Sequence, residues 1–175
     1  MKLEAPGGGT VELRVVDRTS SRSASIHTDS THADSTHTDS VHIDSAHTAG
    51  GRPVHDPGAL LVVEGVIDAG DGRAWTFRDA CLTVAEAAAL GGWLLKAAKG
   101  RLELPNRLTF AAPSLTFTLE EHDHLQPRVT VGFSLTAAPP WLGEERNRTY
   151  DYPVTLDLDP ESLEAAAVDW ERQLS

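Results

Sequence analysis

The sequence predicts an α+β domain: an antiparallel β-sheet of about six to seven strands with two α-helices packed on it. Three observations lead there. Seven short segments alternate apolar and polar residues, the period-two pattern of strands buried on one face only. Two longer segments carry apolar residues at helical spacing behind recognisable caps. Of the 175 residues, 40% are hydrophobic and four are tryptophan. That is enough for one core, in a single domain spanning 1–175, once a low-complexity insert at about 20–57 is set aside.

The first strand is read from Val11, Leu13 and Val15, and the second from the LLVVEGV run around Leu61 to Val66. Trp75 and Phe77 mark the third, with Asp71-Gly72 supplying the hairpin turn before it. Leu108-Thr109-Phe110 is the fourth, ended by Pro113. Leu115, Phe117 and Leu119 make the fifth, and Val129, Val131, Phe133 and Leu135 the sixth. Tyr150, Tyr152, Val154, Leu156 and Leu158 make the last, which Pro153 directs to a sheet edge. The first helix opens on Thr83 and Glu86, a T-x-x-E capping box with Leu82 as a hydrophobic staple. Ala87, Leu90, Leu94 and Ala97 line its buried face, and Gly100 stops it. Gly91-Gly92 inside it costs about 1 kcal/mol each relative to alanine, and close packing on the sheet is the expected reason. Asp159 as N-cap and Pro160 at the first position open the second helix. Its stripe is Leu163, Ala167, Trp170 and Leu174.

Between the first two strands lies HTDSTHADSTHTDSVHIDSAHT, His27 to Thr48, with a histidine every fifth residue. Successive histidines stand roughly 16–18 Å apart in an extended chain, and on a helix each step turns them by about 140°. Neither geometry gathers three ligands. A pentapeptide solenoid needs an apolar residue at the inward centre of each unit, and here Ser, Thr or His would stand there. The remaining reading is a tandem expansion in a solvated loop, which adds only about 0.6 kcal/mol of closure cost per doubling of length. Its charge should move from about −4 towards +1 as pH falls through the histidine range near 6.5.

Two other groups carry ligand or nucleophile chemistry. His122-Asp123-His124 resembles a chelating pair but lacks the further glutamate and histidine such sites use, so a hairpin tip is expected. Cys81 stands just before a helix, where a thiolate can be stabilised, yet no histidine partners it and a small buried hydrophobe is the expected identity. No G-x-S-x-G, H-E-x-x-H, Walker or Rossmann pattern occurs. The chain is therefore read as a non-enzyme that needs no metal or cofactor. The amino end lacks an apolar signal region and no run of eighteen apolar residues exists, so the expected location is the cytoplasm.

Net charge is −11, and residues 150–175 alone carry seven acids against one cation. Such a surface repels nucleic acid and anionic membrane and attracts a basic protein. The segment AAPPWLGEERNRTYDY, 137–152, combines two prolines, Trp141, Glu144, Glu145 and Asp151, which is binding-surface material. Trp141 capping the core beside the prolines is the alternative reading.

Four blocks, GRAWTFRDACLTVAEAAALGGWLLKAA, LTFAAPSLTFTL, VTVGFSLTAAPPWL and YPVTLDLDPESLEAAAVDWERQL, taken in order, resemble the WapI-type immunity protein family of high-GC bacteria. The likeness covers the amino-terminal strand and about residue 58 to the end. Two departures are the histidine repeat and the absence of a proline- and arginine-containing tail after the final helix. The resemblance implies a stoichiometric, non-catalytic inhibitor of a contact-delivered toxin domain, often a nuclease. The implied partner is a basic toxin domain of a cell-wall-associated or secreted protein. Candidate contacts are then Trp141, Glu144, Glu145 and Asp151 in the loop, with Asp157, Asp159, Glu161 and Glu164 at the final strand and helix. A binding module for a small ligand or another protein is the alternative function.

Overall fold

The computed structural model describes residues 1–19, 59–120, 126–147 and 151–175. Its eight strands are β1 Lys2–Glu4, β2 Thr10–Arg18, β3 Leu60–Asp68, β4 Ala74–Thr83, β5 Asn106–Thr109, β6 Leu115–Glu120, β7 Arg128–Phe133 and β8 Tyr152–Asp157. The helices are α1, Val84–Ala98, and α2, Pro160–Leu174. The strands form two four-stranded meanders, β1-β2-β3-β4 and β5-β6-β7-β8, antiparallel throughout. The α+β class and the two helices stand as expected, but the strands divide between two sheets. Period-two alternation marks a strand and its buried face, and says nothing about which strands share a ladder. The strand missed was β1, whose three residues with one buried position are too short to show a period.

Alternation places the core. Val11 and Leu13 of β2, Leu61, Val63 and Ile67 of β3, and Trp75 and Phe77 of β4 are buried on one face of the first sheet. Phe117, Val131, Phe133, Val154 and Leu156 do the same for the second, and one hydrophobic cluster joins both sheets to both helices. Burying each large side chain contributes about 2–3 kcal/mol. Trp75 and Phe133 meet edge-to-face with ring centroids 5.3 Å apart where the sheets approach each other. A bulge between Val15 and Asp17 breaks the β2–β3 register, and the Gln173 side chain of α2 accepts from Val15 N–H at 3.0 Å. Leu13 N–H donates to Met1 O on the same side of β2, so the Val15 amide lies on the open edge beyond the end of β1 and is satisfied by α2.

Helix starts follow the sequence closely. The Thr83 hydroxyl accepts from Glu86 N–H while the Glu86 carboxylate accepts from Thr83 N–H, closing the capping box. The same carboxylate accepts from Ala111 N–H at 2.7 Å and so ties the start of α1 to the β5–β6 connection. Lys99 is the C-cap, with Gly100 next at φ 60°. Asp159 caps α2 by accepting from Ser162 N–H at 2.7 Å. The glycine pair is explained differently from expectation. Gly91 faces α2, where an added Cβ would lie 3.4 Å from Trp170 Cδ1, and Gly92 faces open space. The close approach is helix on helix, clamped by Trp170 Nε1 donating to the Ala87 carbonyl at 2.7 Å.

Strand ends shift by small amounts. β5 begins at Asn106, two residues before the expected Leu108; Leu135 leaves β7 to begin a 3-10 turn, and β8 ends before Leu158. As expected, β8 with Pro153 is an edge strand. At the far end of the first sheet, Thr19 N–H donates to the Leu60 carbonyl and Leu60 N–H to the Thr19 hydroxyl. The chain therefore leaves for the histidine repeat and returns at neighbouring points. The repeat, the hairpin tip with His122 and His124, and Tyr150 lie outside the described residues. No helix among the described residues is long and apolar enough to cross a membrane.

Candidate interaction surface

The segment after β7 is bent by its own backbone. Leu135 takes φ 52° at the start of a 3-10 turn, Leu135–Ala137, a left-handed conformation uncommon for a leucine. A second 3-10 stretch, Pro140–Asn147, is broken at Gly143 with φ 55° and ψ −128°, a bend open to glycine. Between the two bends the chain carries Trp141 onto the surface.

Trp141 is 46% exposed, yet it is not loose. It meets Trp75 edge-to-face at 5.5 Å and Tyr152 at 6.1 Å, and Trp75 and Tyr152 meet each other at 5.5 Å. Trp75 is itself held by Nε1 donating to the Ala137 carbonyl at 2.9 Å. The Arg73 guanidinium lies 5.6 Å from the Tyr152 ring centre and is paired with Asp71. Both readings of Trp141 thus have a physical basis: one part of the indole closes the aromatic cluster at the sheet ends and the rest faces solvent.

The acidic candidates differ in how their charge is used. Glu144 and Glu145 are exposed and make no ion pair among the described residues. Arg146, the cation beside them, turns back to donate from Nη2 to the Thr136 carbonyl at 2.7 Å, with its Nε buried and unpartnered. Asp151 accepts from Arg107 Nη2 at 2.7 Å and from the Thr116 hydroxyl at 3.0 Å. Gly132 makes room for this, because a Cβ there would sit 2.8 Å from Asp151 Cβ and overlap the Thr116 hydroxyl. Asp157 pairs with Arg128 at 2.7 Å on the outer face of the sheet. The bonds from Ser162 N–H and its hydroxyl hold the Asp159 carboxyl below the usual carboxylate range. Glu161 is exposed in the first turn of α2, and Glu164 stands 3.6 Å from Lys99.

Trp141 and Asp151 thus sit at the start of β8, with Glu144 and Glu145 on the segment leading there, while Asp157, Asp159, Glu161 and Glu164 belong to its end and to α2. The length of the strand, about 17 Å at the usual rise, separates the two groups. Sequence reasoning passed over Arg107 and Gly132 because their partners lie distant in the chain, and only the β5–β6–β7 register brings them together. A hollow of about 300 Å³ opens beside this latch, lined by Arg107, Phe110, Thr116, Leu135 and Asp151 among others. Cys81 carries no chemistry of this kind. It is fully buried, and burial, reinforced by Asp79 and Glu86, pushes its thiol up to about 12.

These features define a small α+β domain that presents a rigid aromatic and acidic rim. The chain belongs to the WapI-like immunity protein family, whose model, described as Immunity protein WapI-like family, matches residues 2–175. No curated protein and no solved structure matches it.

Proposed function

We propose that this protein is an immunity protein that binds a cognate contact-delivered toxin domain, a nuclease, and neutralises it by stoichiometric occlusion in the cytoplasm. Membership of the WapI-like immunity family over residues 2–175 is the observation that carries this reading. The charge distribution supports it. A chain of net charge −11 repels nucleic acid and gains association rate against a basic nuclease surface. Occlusion needs a fixed complementary surface and no catalytic group. The eight residues Trp141, Glu144, Glu145, Asp151, Asp157, Asp159, Glu161 and Glu164 are the proposed contact set.

The test is to look beside this gene for a large secreted protein and to co-express its carboxyl-terminal domain with this chain. Restored growth and a one-to-one complex on gel filtration are expected. No rescue and no complex would overturn the reading. A second reading, a module for a small ligand, is favoured by the hollow beside Arg107 and Asp151, whose volume lies at the lower end for ligand sites. Small-molecule protection of the fold against heat, lost on substituting Arg107, is the result that would support it.

A further inference from the structure

We propose that the partner docks on Trp141–Glu145 and that this segment takes an arginine or lysine side chain, held over the exposed indole and paired with Glu144 and Glu145. The inference rests on the immunity reading and narrows it from two acidic regions to one. Three observations single out this segment.

The first is rigidity at an exposed anchor. Trp141 is the only exposed aromatic ring among the described residues, and contacts to Trp75 and Tyr152 fix it before any partner arrives. A preset aromatic anchor loses little conformational freedom on binding. The second is unspent charge. Asp151, Asp157, Asp159 and Glu164 already serve Arg107, Arg128, the α2 cap and Lys99. A partner's cation would have to compete with those contacts. Among the described residues Glu144 and Glu145 have no such partner, and of the α2 group only Glu161 shares this, with no exposed ring beside it; Arg146, the one cation within Pro140–Asn147, is tethered to Thr136 O.

The third is the match between the two groups. An indole face attracts a guanidinium or ammonium, and the exposed carboxylates three and four residues on in the same segment can complete its hydrogen bonds. Together they fit a cationic side chain on a basic protein, and they disfavour an anionic or purely apolar occupant.

The probe is the carboxyl-terminal domain of the secreted toxin used in the co-expression test above, inactivated at its active site and titrated against the full chain by calorimetry at several salt concentrations. Wild type is expected to bind with an affinity that falls with salt. Trp141→Ala and the pair Glu144→Gln with Glu145→Gln are each expected to weaken binding at least tenfold, the glutamine pair with a shallower salt dependence. Trp141→Phe, which keeps a ring against Trp75, should retain most of the affinity and guards against misfolding of the alanine variant. Glu161→Gln with Glu164→Gln tests the other half of the contact set and should weaken binding less than either Trp141–Glu145 change. If the Trp141–Glu145 variants bind like wild type while the α2 pair weakens binding, the docking inference fails and the immunity reading stands. If wild type neither binds nor restores growth, the immunity reading itself fails.

Discussion

Replacing Gly132 by alanine probes the latch that holds the start of β8. The added methyl would overlap the Thr116 hydroxyl and lie 2.8 Å from Asp151 Cβ and 3.0 Å from Asp151 Cγ. Thr116 can rotate its hydroxyl away, but it is almost fully buried and then loses its bond to Asp151. Asp151 can move only by lifting the chain that leads into β8 and stretching its ion pair with Arg107. Overpacking of this kind costs about 1–3 kcal/mol, and the lost hydrogen bond adds about 1 kcal/mol. The sum, about 2–4 kcal/mol, corresponds to a drop in Tm of about 4–16 °C for a chain of this size. Thermal unfolding followed by circular dichroism reads it directly. Thr116→Ala in the Gly132→Ala background should recover about half of the loss, because it removes the nearest obstacle. A single variant melting within about 1 °C of wild type would refute the account of Gly132 as a spacer for Asp151.

Three further outcomes are expected. Gly92→Ala meets no atom within 4 Å, so it should stabilise the protein by about 1 kcal/mol through helix propensity alone; a loss in chemical denaturation would contradict the open space seen there. Glu86→Ala removes the bonds to Thr83 and Ala111 and should cost about 1–2 kcal/mol at neutral pH. Partial burial raises the Glu86 pKa, but the N–H groups of Ala111 and Thr83 outweigh it and hold the carboxyl below its ordinary 4.5. Its contribution is therefore complete above that value and is lost as pH falls through the folded value. The stability gap between wild type and Glu86→Ala should accordingly close in acid; a gap independent of pH down to unfolding would count against it. Cys81, with its thiol pushed up to about 12 by burial, Asp79 and Glu86, should alkylate at pH 8 at least about a hundredfold more slowly in the folded protein than in urea, and equal rates would contradict its burial.

Local features were legible in the sequence wherever one short stretch contains both cause and consequence. Thr83 with Glu86, Asp159 with Pro160, and the alternation through Leu115–Leu119 each specify an element without help from elsewhere. The edge position of β8 follows from Pro153 alone. The division into two sheets was not legible, because an α-helix between β4 and β5 is equally compatible with one sheet or two. Gly91 shows the same limit: a helical glycine announces a close neighbour, but not that the neighbour is Trp170. At the surface, the acidic and aromatic character of 137–152 was legible, and so was its place between two strands. Which of the acidic candidates are already committed depends on Arg107, Arg128 and Lys99, none of which is near its partner Asp151, Asp157 or Glu164 in sequence.

The hydrogen bonds between Thr19 and Leu60 make the first sheet a closed frame with a doorway in it. Two chain ends emerge there on adjacent strands, about 5 Å apart, and the frame is already complete without whatever passes through. Adding or removing five-residue units between them changes the closure cost by only about 0.6 kcal/mol per doubling of length. The same doorway is a natural splice point: a reporter domain whose own termini lie close together could be joined at Thr19 and Leu60 while Trp141 and the β8 rim, at the far ends of the sheets, stay as they are.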